Sequence, residues 1–406
     1  MQQQYIVIGI DDSPNPYFKP DVLALIASGS VFSGGKRHYQ IVKSFLPTSH
    51  KWIEITVPLK NVFEAYDNEF VGSSDPIIVF ASGDPMFFGF ATTIQRERPD
   101  SKIILYPSFN SLQTLAHRIA MQYDDMLTVS LTGRPWHRFD QALIERTPKI
   151  GVLTDKVHTP STIAQRMLEY GYDYYHMYVG EHLGNPDKEV VTSISLSEAV
   201  GREFTHPNNL ILVVPQDRRS SLYRPFGIPD TAFELLDGRQ KMITKSPIRL
   251  LSLQALELYR KSYFWDVGFC TGSVSVEAKM QFPHLHIDSF EIRPEGAHLL
   301  EINTRRFGTP GIEGHIGDFL QEDISMLHNP DAVFIGGHGG KLVEIVKKIN
   351  SKLVDGGCIV FNAVSDKSRE SFVEAVTQTA LHLQPSMHIV LNEYNPIEIM
   401  KAVKAE

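Results

Sequence analysis

Short runs of β-branched and aromatic residues alternate with amphipathic helical stretches along almost the whole chain. In the first half the strand-like runs are YIVIGI from Tyr5, PIIVFAS from Pro76, KIILY from Lys102 and NLILVVP from Asn209. Between them, PDVLALIAS and NSLQTLAHRIA carry apolar residues at three- and four-residue spacing, as core-facing helices do. Alternation of this kind is typical of parallel sheets flanked by helices, so the predicted fold class is α/β.

The periodic pattern fades after Pro215, where charges, Gly and Pro gather in QDRRSSLYRPFGIPDTAFELLDGRQKMITK. A second α/β series then begins with a helix from Pro247 and continues with the runs YFWDV, HIDSFEI, DAVFIG, GCIVFNAV and HIVLNEY. The last run, IEIMKAVKA, follows so closely that we expect it to be antiparallel to its neighbour. Because 406 residues exceed one ordinary domain, we predict units at residues 1–216 and 246–406, joined by a linker and lead-in segment at 217–245.

Charge and composition exclude several classes of protein. Lys plus Arg number 39 against 47 for Asp plus Glu, a net charge of −8, so we do not expect nucleic acid as a partner. No run approaches the ~20 apolar residues of a membrane-spanning helix, so we expect a cytoplasmic protein without a membrane partner. The two cysteines lack a C-x-x-C partner and the 16 histidines lack an H-x-x-x-H pairing, which predicts neither a disulfide framework nor a metal site.

The strongest local motif lies in the second half, where the strand YFWDV runs into the loop DVGFCTG from Asp266. Gly268 and Gly272 allow a close ligand approach that a Cβ would obstruct, and a helix is predicted from about Ser273. The next strand ends in Glu291, a carboxylate placed to accept hydrogen bonds from both hydroxyls of a ribose. Asp318 follows the strand-like GIEGHI and can accept from an adenine amino group. The three elements predict a nucleoside site.

The spacing of this loop favours one nucleoside cofactor over another. A nicotinamide dinucleotide site would read G-x-G-x-x-G and hold a pyrophosphate at the helix N-terminus. This loop reads D-x-G-x-x-x-G, and its leading carboxylate would repel a pyrophosphate but suits the amino and sulfonium charges of S-adenosylmethionine. A lone Gly-rich turn is often only a tight turn, whereas three elements on successive strands favour a cofactor. Cys270 is interpreted as a small apolar filler rather than a reactive thiol.

These motifs resemble known methyltransferases of corrin-ring assembly. ITKSPIRLLSL, DVGFCTGSVSVEA, FEIRPE, NTRRFG, HIGDF and DAVFIGGHGG are similar to the decarboxylating precorrin methyltransferase module, over about residues 228–406. FASGDPMFFGFATTI, PSFNSLQTLAHRI, SLTGRP and EHLGNPDKEV resemble tetrapyrrole methylases that act on carbon 5 of the macrocycle. Two departures stand out: Cys270 and His338 occupy positions where relatives commonly carry a small residue.

The resemblance implies both folds and activities. Residues 1–216 would form the two-lobed tetrapyrrole methylase fold and residues 246–406 a Rossmann-like class I methyltransferase fold. Each unit would bind its own S-adenosylmethionine, so two sites per chain are expected. The first unit would methylate carbon 5 of precorrin-6B. The second would methylate carbon 15 and remove carbon dioxide from the ring-C acetate, giving precorrin-8X. A small-molecule tetrapyrrole is therefore the expected partner, and relatives of both modules lead us to expect a homo-oligomer.

The motifs and the resemblance together nominate site residues. In the second half we expect the cofactor to contact Asp266, Gly268, Thr271, Gly272, Glu291 and Asp318. In the first half the corresponding residues are Gly9, Gly83, Asp84, Met86, Phe87, Ser111 and Thr132. Lys245 and His338 are the candidate catalytic residues. Because the substrate carries several carboxylates, Arg224 and Arg249 are the candidate substrate-binding residues.

Two other functions compete with this interpretation. An RNA methyltransferase can share a similar loop, but the acidic net charge argues against it and such an enzyme would leave the first half without a role. A non-catalytic scaffold with decayed cofactor pockets is the second alternative, motivated by Cys270 and by the unusual opening loop at Gly9.

Overall fold

The computed structural model describes residues 3–71, 73, 75–221, 223–392 and 396–405. The chain divides into two units by its internal contacts. One comprises Met1–Arg134, Pro148–Gln165 and Tyr175–Pro215, and the other comprises Pro135–Thr147, Arg166–Tyr174 and Gln216–Glu406. Two short stretches of the first half therefore group with the second unit. Among the described residues, none of the helices is both long enough and apolar enough to span a bilayer.

The first half of the chain alternates strands and helices, as predicted. Its strands are β1 (Gln4–Ile10), β2 (Val31–Gly34), β3 (Lys51–Glu54), β4 (Ile77–Ser82), β5 (Lys102–Tyr106), β6 (Leu127–Ser130), β7 (Lys149–Leu153), β8 (His176–Glu181), β9 (Val190–Ser195) and β10 (Asn208–Val213). Its helices are α1 (Pro20–Ser28), α2 (Lys36–Val42), α3 (Leu59–Glu69), α4 (Phe90–Glu97), α5 (Ser111–Arg118), α6 (His137–Ile144), α7 (Pro160–Glu169) and α8 (Leu196–Ala199). The strand-like runs from Tyr5, Pro76, Lys102 and Asn209 are confirmed.

Two sheets are built from these strands. The first has the order β3-β2-β4-β1-β5 and is parallel throughout. The second has the order β6-β7-β10-β8-β9, in which β6 and β7 are parallel and the other pairs antiparallel. Helix α5 begins with a capping box, since the Asn110 side chain accepts from Gln113 N and the Gln113 side chain accepts from Asn110 N.

The second unit contains one larger mixed sheet with flanking helices. Its strands are β11 (Tyr263–Val267), β12 (His286–Glu291), β13 (Ile312–Ile316), β14 (Ala332–Ile335), β15 (Cys358–Ala363), β16 (Leu381–Leu383), β17 (Met387–Ile389) and β18 (Ile397–Lys404). Its helices are α9 (Ser246–Leu256), α10 (Ser273–Gln281), α11 (Glu295–Phe307), α12 (Leu342–Asn350) and α13 (Asp366–Thr377). The order is β13-β12-β11-β14-β15-β18-β16, with β17 paired to β18.

The strand order turns at β11, which has β12 on one side and β14 on the other, both parallel to it. Ligands of open parallel sheets bind at such a point, beyond the carboxyl ends of the strands. Strand β18 is antiparallel to β15, as predicted. The predicted strand HIVLNEY is shorter than expected, because β17 ends at Ile389, and Glu393 and Tyr394 lie outside the described residues.

Apolar side chains cover both faces of this sheet. Trp265 of β11, Ile359 of β15 and Phe372 of α13 belong to the cluster on one face, and Phe264 and Val360 to the cluster on the other. Burial on both faces explains why β11, β14 and β15 are continuous apolar runs rather than alternating ones. The core thus fixes the strand ends that carry the candidate site.

The lead-in segment, residues 217–245, contains short 3-10 turns at Gln216–Ser221, Asp230–Ala232, Leu236–Gly238 and Gln240–Met242. Its buried residues Ile228, Phe233 and Ile243 pack against Val276 and Met280 of α10. Although the sequence pattern here lacks periodicity, the segment is therefore anchored to the second unit.

Candidate functional site

The loop between β11 and α10 adopts the conformation that its glycines allow. Gly268, Cys270 and Gly272 all have positive φ, at +78°, +53° and +73°. A Cβ on Gly268 would lie 2.5 Å from the backbone nitrogen of Gly337, so only glycine lets the loops after β11 and β14 approach this closely. The predicted helix start at Ser273 is confirmed.

A cavity of about 990 Å³ opens beside this loop. Three parts of the second unit form its walls: the end of the lead-in segment, the β11 loop, and residues near the ends of β15 and β18. The lining residues include Lys241, Met242, Ile243, Thr244, Lys245, Asp266, Gly268, Cys270, Thr271, Arg293, Asn362, Val364, Leu391 and Ile397. A chamber of this volume suits a ligand much larger than a nucleoside alone.

A smaller cavity of about 160 Å³ lies next to the first. Its walls include Glu291, Asp318, Phe319, His338 and Lys341. Gly268, Arg293 and Gly337 line both cavities, which are therefore adjacent. Five of the six predicted cofactor residues of the second half thus come together around two neighbouring cavities. The sixth, Gly272, lines neither, and a Cβ there would lie 2.7 Å from Leu300 Cδ1 of α11.

Asp266 is the buried carboxylate of the site. Its side chain is fully buried, and Oδ2 accepts a 2.6 Å hydrogen bond from Ser275 Oγ. Its Oδ1 has no hydrogen-bond partner among the described residues. Burial raises the pKa of Asp266 from an ordinary carboxyl value to about 7, and the Ser275 hydrogen bond opposes that rise. The group therefore keeps its proton to a much higher pH than an ordinary carboxyl group does.

Thr271 provides a second unsatisfied polar atom. Its hydroxyl is buried and makes no hydrogen bond within the described part of the chain. Buried polar atoms are almost always satisfied, so two unsatisfied atoms on the wall of one cavity indicate that a ligand supplies the missing partners. A hydroxyl and a carboxylate oxygen suit a ligand bearing an ammonium group, and the residues present therefore fit S-adenosylmethionine.

Glu291 at the end of β12 fixes the loop beside it. One carboxylate oxygen accepts from the Cys270 amide at 2.9 Å. The other accepts from the Arg293 amide at 3.0 Å and from its guanidinium at 3.1 Å. Carboxylate oxygens have further acceptor capacity, so Glu291 can still receive hydroxyl donors.

Asp318 forms the outer wall of the smaller cavity. Its Oδ2 lies 2.9 Å from Lys341 Nζ, and its Oδ1 accepts from the Leu320 amide at 3.0 Å. The Lys341 hydrogen bond is the main reason that the pKa of Asp318 lies below its ordinary value. The carboxylate is therefore ionised at neutral pH and can act only as an acceptor.

The two candidate catalytic residues line different cavities. Lys245 lines the larger one, and its Nζ lies 3.7 Å from Asp230 Oδ2. His338 lines the smaller one, where burial lowers its pKa and favours the neutral ring. The Gly340 amide donates to His338 Nδ1 at 3.2 Å, which leaves the ring proton on Nε2.

The two candidate substrate-binding arginines have other surroundings. The Arg249 side chain is 0% exposed and pairs with Glu277 and Asp230, so a substrate carboxylate arriving from solvent cannot reach it. That prediction is corrected: core packing, not ligand binding, explains its position. Arg224 is exposed on the lead-in segment and donates to the Met280 carbonyl at 3.0 Å.

Several wall residues were not predicted from the sequence. Arg293 could have been found, because FEIRPE places a cation two residues after Glu291. Lys241 could also have been predicted from the sequence, since it lies four residues before Lys245 in the lead-in segment. Asn362 and Leu391 could not have been predicted, because only the folded sheet brings the ends of distant strands to one cavity.

The first unit brings three loops together at one edge of its parallel sheet. The Gly83 amide donates to the Ile10 carbonyl at 2.7 Å, and the Ser108 amide donates to the Gly83 carbonyl at 3.3 Å. A Cβ on Gly9 would lie 1.9 Å from that same Gly83 carbonyl oxygen. The loops after β1, β4 and β5 can therefore meet only with glycine at position 9.

The other predicted residues of the first unit extend outward from this junction. Asp84 Oδ1 accepts from the Met86 amide at 2.8 Å, and the Met86 side chain is 42% exposed. Phe87 packs against the core beneath α5, whose first residue is the exposed Ser111. Thr132 follows β6 in the second sheet, and its hydroxyl donates to the Thr154 carbonyl at 3.0 Å.

The loop that carries Thr132 reaches the loop that carries Phe87. The guanidinium of Arg134 lies 5.5 Å from the centre of the Phe88 ring, within the range of a cation–π contact. Phe88 itself has a positive φ of +51° and a 46% exposed side chain. The loops after β4 and β6 therefore meet at an exposed aromatic side chain.

Comparison with known proteins finds two different families in the two halves of the chain. Residues 21–199 match the family of tetrapyrrole (corrin/porphyrin) methylases, and residues 235–405 match the precorrin methyltransferase domain. A solved structure of precorrin-6Y C5,15-methyltransferase from Geobacter metallireducens GS-15 is 29% identical, covering 45% of this chain and 100% of that chain with a TM-score of 0.41.

Two curated relatives cover different shares of the chain. The cobalt-precorrin-6B C(15)-methyltransferase (decarboxylating) of Salmonella typhimurium is 32% identical over 40% of this chain and 83% of its own length. The precorrin-6Y C(5,15)-methyltransferase [decarboxylating] of Sinorhizobium sp. is 30% identical over 88% of this chain and 84% of its own length. The chain therefore belongs to the family of precorrin-6Y C(5,15)-methyltransferases (decarboxylating).

Proposed function

We propose that this chain transfers methyl groups from S-adenosylmethionine to carbons 5 and 15 of precorrin-6B and decarboxylates the ring-C acetate, giving precorrin-8X. The observation that carries this proposal is the buried, unpartnered oxygen of Asp266 on the wall of a cavity large enough for a tetrapyrrole. Each unit holds its own cofactor, one for each carbon that is methylated.

In the second unit, residues on the walls of both cavities would hold the cofactor. Glu291 would accept from the ribose hydroxyls, Asp318 from the adenine amino group in the smaller cavity, and Asp266 with Thr271 would receive the amino acid end. Gly268, on the wall of both cavities, leaves room for the cofactor beside the loop. When bound, S-adenosylmethionine supplies an electrophilic methyl group.

The residues that line the larger cavity favour methyl transfer and decarboxylation. Ile243, Val364 and Leu391 exclude water, and a dry site favours a transfer in which positive charge is consumed. A carboxylate held against an apolar wall is likewise destabilised, which favours its loss as carbon dioxide. Lys245 binds another of the substrate's carboxylates and so fixes which acetate faces the apolar wall. No residue is required to act as a strong base, because the reduced macrocycle is itself nucleophilic.

His338 serves as a hydrogen-bond donor on the wall of the smaller cavity. Its Nε2 proton is available because Nδ1 already accepts from the Gly340 amide. A neutral ring keeps this donor at physiological pH. Arg224, exposed on the lead-in segment, attracts the acidic substrate from solvent.

In the first unit the second cofactor binds at the loop junction. Gly9 and Gly83 admit it to the sheet edge, Asp84 and Ser111 accept and donate hydrogen bonds, and Met86 with Phe87 covers its apolar surface. Thr132 contacts it from the second sheet. We also expect the chain to assemble as a homo-oligomer.

The test is incubation of the purified chain with precorrin-6B and S-adenosylmethionine, followed by mass spectrometry of the pigment. Two added methyl groups and the loss of one carbon dioxide are expected. Calorimetric titration with S-adenosylmethionine should give two equivalents per chain. An unchanged pigment refutes the proposed activity, and an absence of heat from either unit would instead favour a scaffold.

A further inference from the structure

A charge cluster whose two central side chains are fully buried adjoins the larger cavity, since Lys245, one of its members, lines that cavity. It consists of Arg249 of α9, Glu277 of α10, and Asp230 and Lys245 of the lead-in segment, and we name it the latch cluster. Arg249 and Glu277 are both 0% exposed, and Arg249 Nε lies 3.3 Å from Glu277 Oε2. Two cations face two anions, so the burial of each charge is compensated within the cluster.

Arg249 connects two distant parts of the lead-in segment. Its guanidinium donates to the Ile228 carbonyl and, at 2.9 Å, to the Thr244 carbonyl. It also lies 3.4 Å from Asp230 Oδ1. One planar side chain therefore fixes both the middle and the end of the segment.

Glu277 holds the same segment from the other side. Its two carboxylate oxygens accept from the Gly227 amide at 3.0 Å and from the Ile228 amide at 2.9 Å. Asp230 completes the arrangement, because it accepts from the Ser246 amide at 2.9 Å where the segment enters α9. The lead-in segment is thus tied to two helices by charged side chains rather than by apolar packing alone.

The latch cluster is connected to two parts of the wall of the larger cavity. Residues 241–245 at the end of the lead-in segment line the larger cavity. Glu277 stands on α10, and the first residues of that helix, Ser273 and Val274, line the same cavity next to the β11 loop. The cluster therefore joins the wall proposed to face the tetrapyrrole with the loop proposed to hold the cofactor.

We propose that Arg249 and Glu277 are positioning residues, which hold residues 241–245 at the distance from the β11 loop that methylation of carbon 15 requires. This inference rests on the proposed function and deepens it. Neither side chain touches the substrate; both act through the backbone of the segment and through Lys245. Their loss should loosen this wall and leave the first unit unaffected.

The test uses the double variant Arg249→Met, Glu277→Leu in the full chain, because it removes both buried charges together and leaves no unpaired ion. Steady-state kinetics follow methylation of carbons 5 and 15 separately by NMR of pigment formed with S-adenosylmethionine that carries a ¹³C-labelled methyl group. We expect kcat/KM at carbon 15 to fall about 100-fold, the loss typical of a misplaced reacting group. Methylation at carbon 5 should keep its wild-type rate.

Hydrogen exchange supplies a readout that does not depend on activity. The amides of residues 241–245 should exchange faster in the double variant, whereas those of β11 should keep their protection. The control is Ile349→Ala, which opens a cavity in the apolar core away from the cluster and destabilises the unit without touching the lead-in segment. It should change neither the exchange of 241–245 nor KM.

Wild-type kinetics and wild-type exchange in a folded double variant would overturn the positioning role. If the double variant does not fold, Arg249→Lys takes its place, because a lysine keeps the charge but cannot reach the Ile228 and Thr244 carbonyls together; wild-type behaviour there overturns the role as well. A wild-type chain inactive at carbon 15 would refute the proposed function alone, since the exchange experiment still tests the latch cluster.

Discussion

Replacing Asp266 by Asn tests whether burial raises the pKa of this carboxyl group. The substitution keeps the size of the side chain and an acceptor for Ser275 Oγ, but it removes the ionisation. Burial raises the pKa of Asp266 from 3.8 to about 7 in the folded chain. Each pH unit of such a difference corresponds to about 1.4 kcal/mol, so the ionised carboxylate costs the folded state about 4 kcal/mol.

The sign of the pH dependence follows from where the proton is held. Because the folded pKa of Asp266 lies above the unfolded value, the folded chain keeps a proton that the unfolded chain releases. The free energy of unfolding of the wild type therefore falls as the pH rises from about 4 to about 7 and then levels off. Asn cannot ionise, so Asp266→Asn lacks this decrease. Between pH 5 and pH 8 the variant should gain about 3 kcal/mol relative to the wild type.

Hydrogen exchange of the amides in β11 measures this difference within the second unit, without assuming that the whole chain unfolds in one step. Asp323→Asn is the control: the Ser325 amide holds the pKa of that carboxylate below its ordinary value, so its removal cannot produce a gain at high pH. The same pH dependence in Asp266→Asn and in the wild type would show that Asp266 ionises normally and would refute the reasoning.

Three further substitutions test separate parts of the structure. Asp266→Ala should abolish methylation at carbon 15 and leave one of two S-adenosylmethionine equivalents in calorimetry; loss of both would contradict independent units. Cys270→Gly should raise the unfolding free energy of the second unit by about 1 kcal/mol, because φ is +53° there; an unchanged or lower melting temperature would refute the argument from strain. Gly9→Ala should stop methylation at carbon 5 alone, because its Cβ would collide with Gly83 O; wild-type activity at carbon 5 would show that the loops can separate.

Much of the second unit could be predicted because its signals are local. The run from Tyr263 to Ser273 combines an apolar strand, glycines and a helix start, and each of these depends on neighbouring residues only. The parallel register then places Glu291 beside the β11 loop, since carboxyl ends of parallel strands meet at one edge. The roles proposed for individual site residues stay predictions.

The prediction that Arg249 binds substrate was wrong, although its position in the helical pattern pointed to burial. The buried positions of α9 are Ile248, Arg249, Ser252, Leu253 and Leu256. Arg249 therefore occupies a core-facing position in the helical repeat, which is where a buried ion pair and not a ligand contact should be expected. Its partner Glu277 on another helix could not be deduced from spacing, because the pairing is tertiary.

Gly268, Arg293 and Gly337 stand on the walls of both cavities of the second unit. If the cofactor and the macrocycle occupy these cavities as proposed, both contact the same three residues, and we expect the binding of one to change the affinity for the other. Thermodynamic linkage then requires the effect to be reciprocal. If the bound nucleoside raises the affinity for the macrocycle by some factor, the bound macrocycle raises the affinity for the nucleoside by the same factor. The demethylated cofactor and the corrinoid product should accordingly influence each other's dissociation, so that release of the two products is coupled.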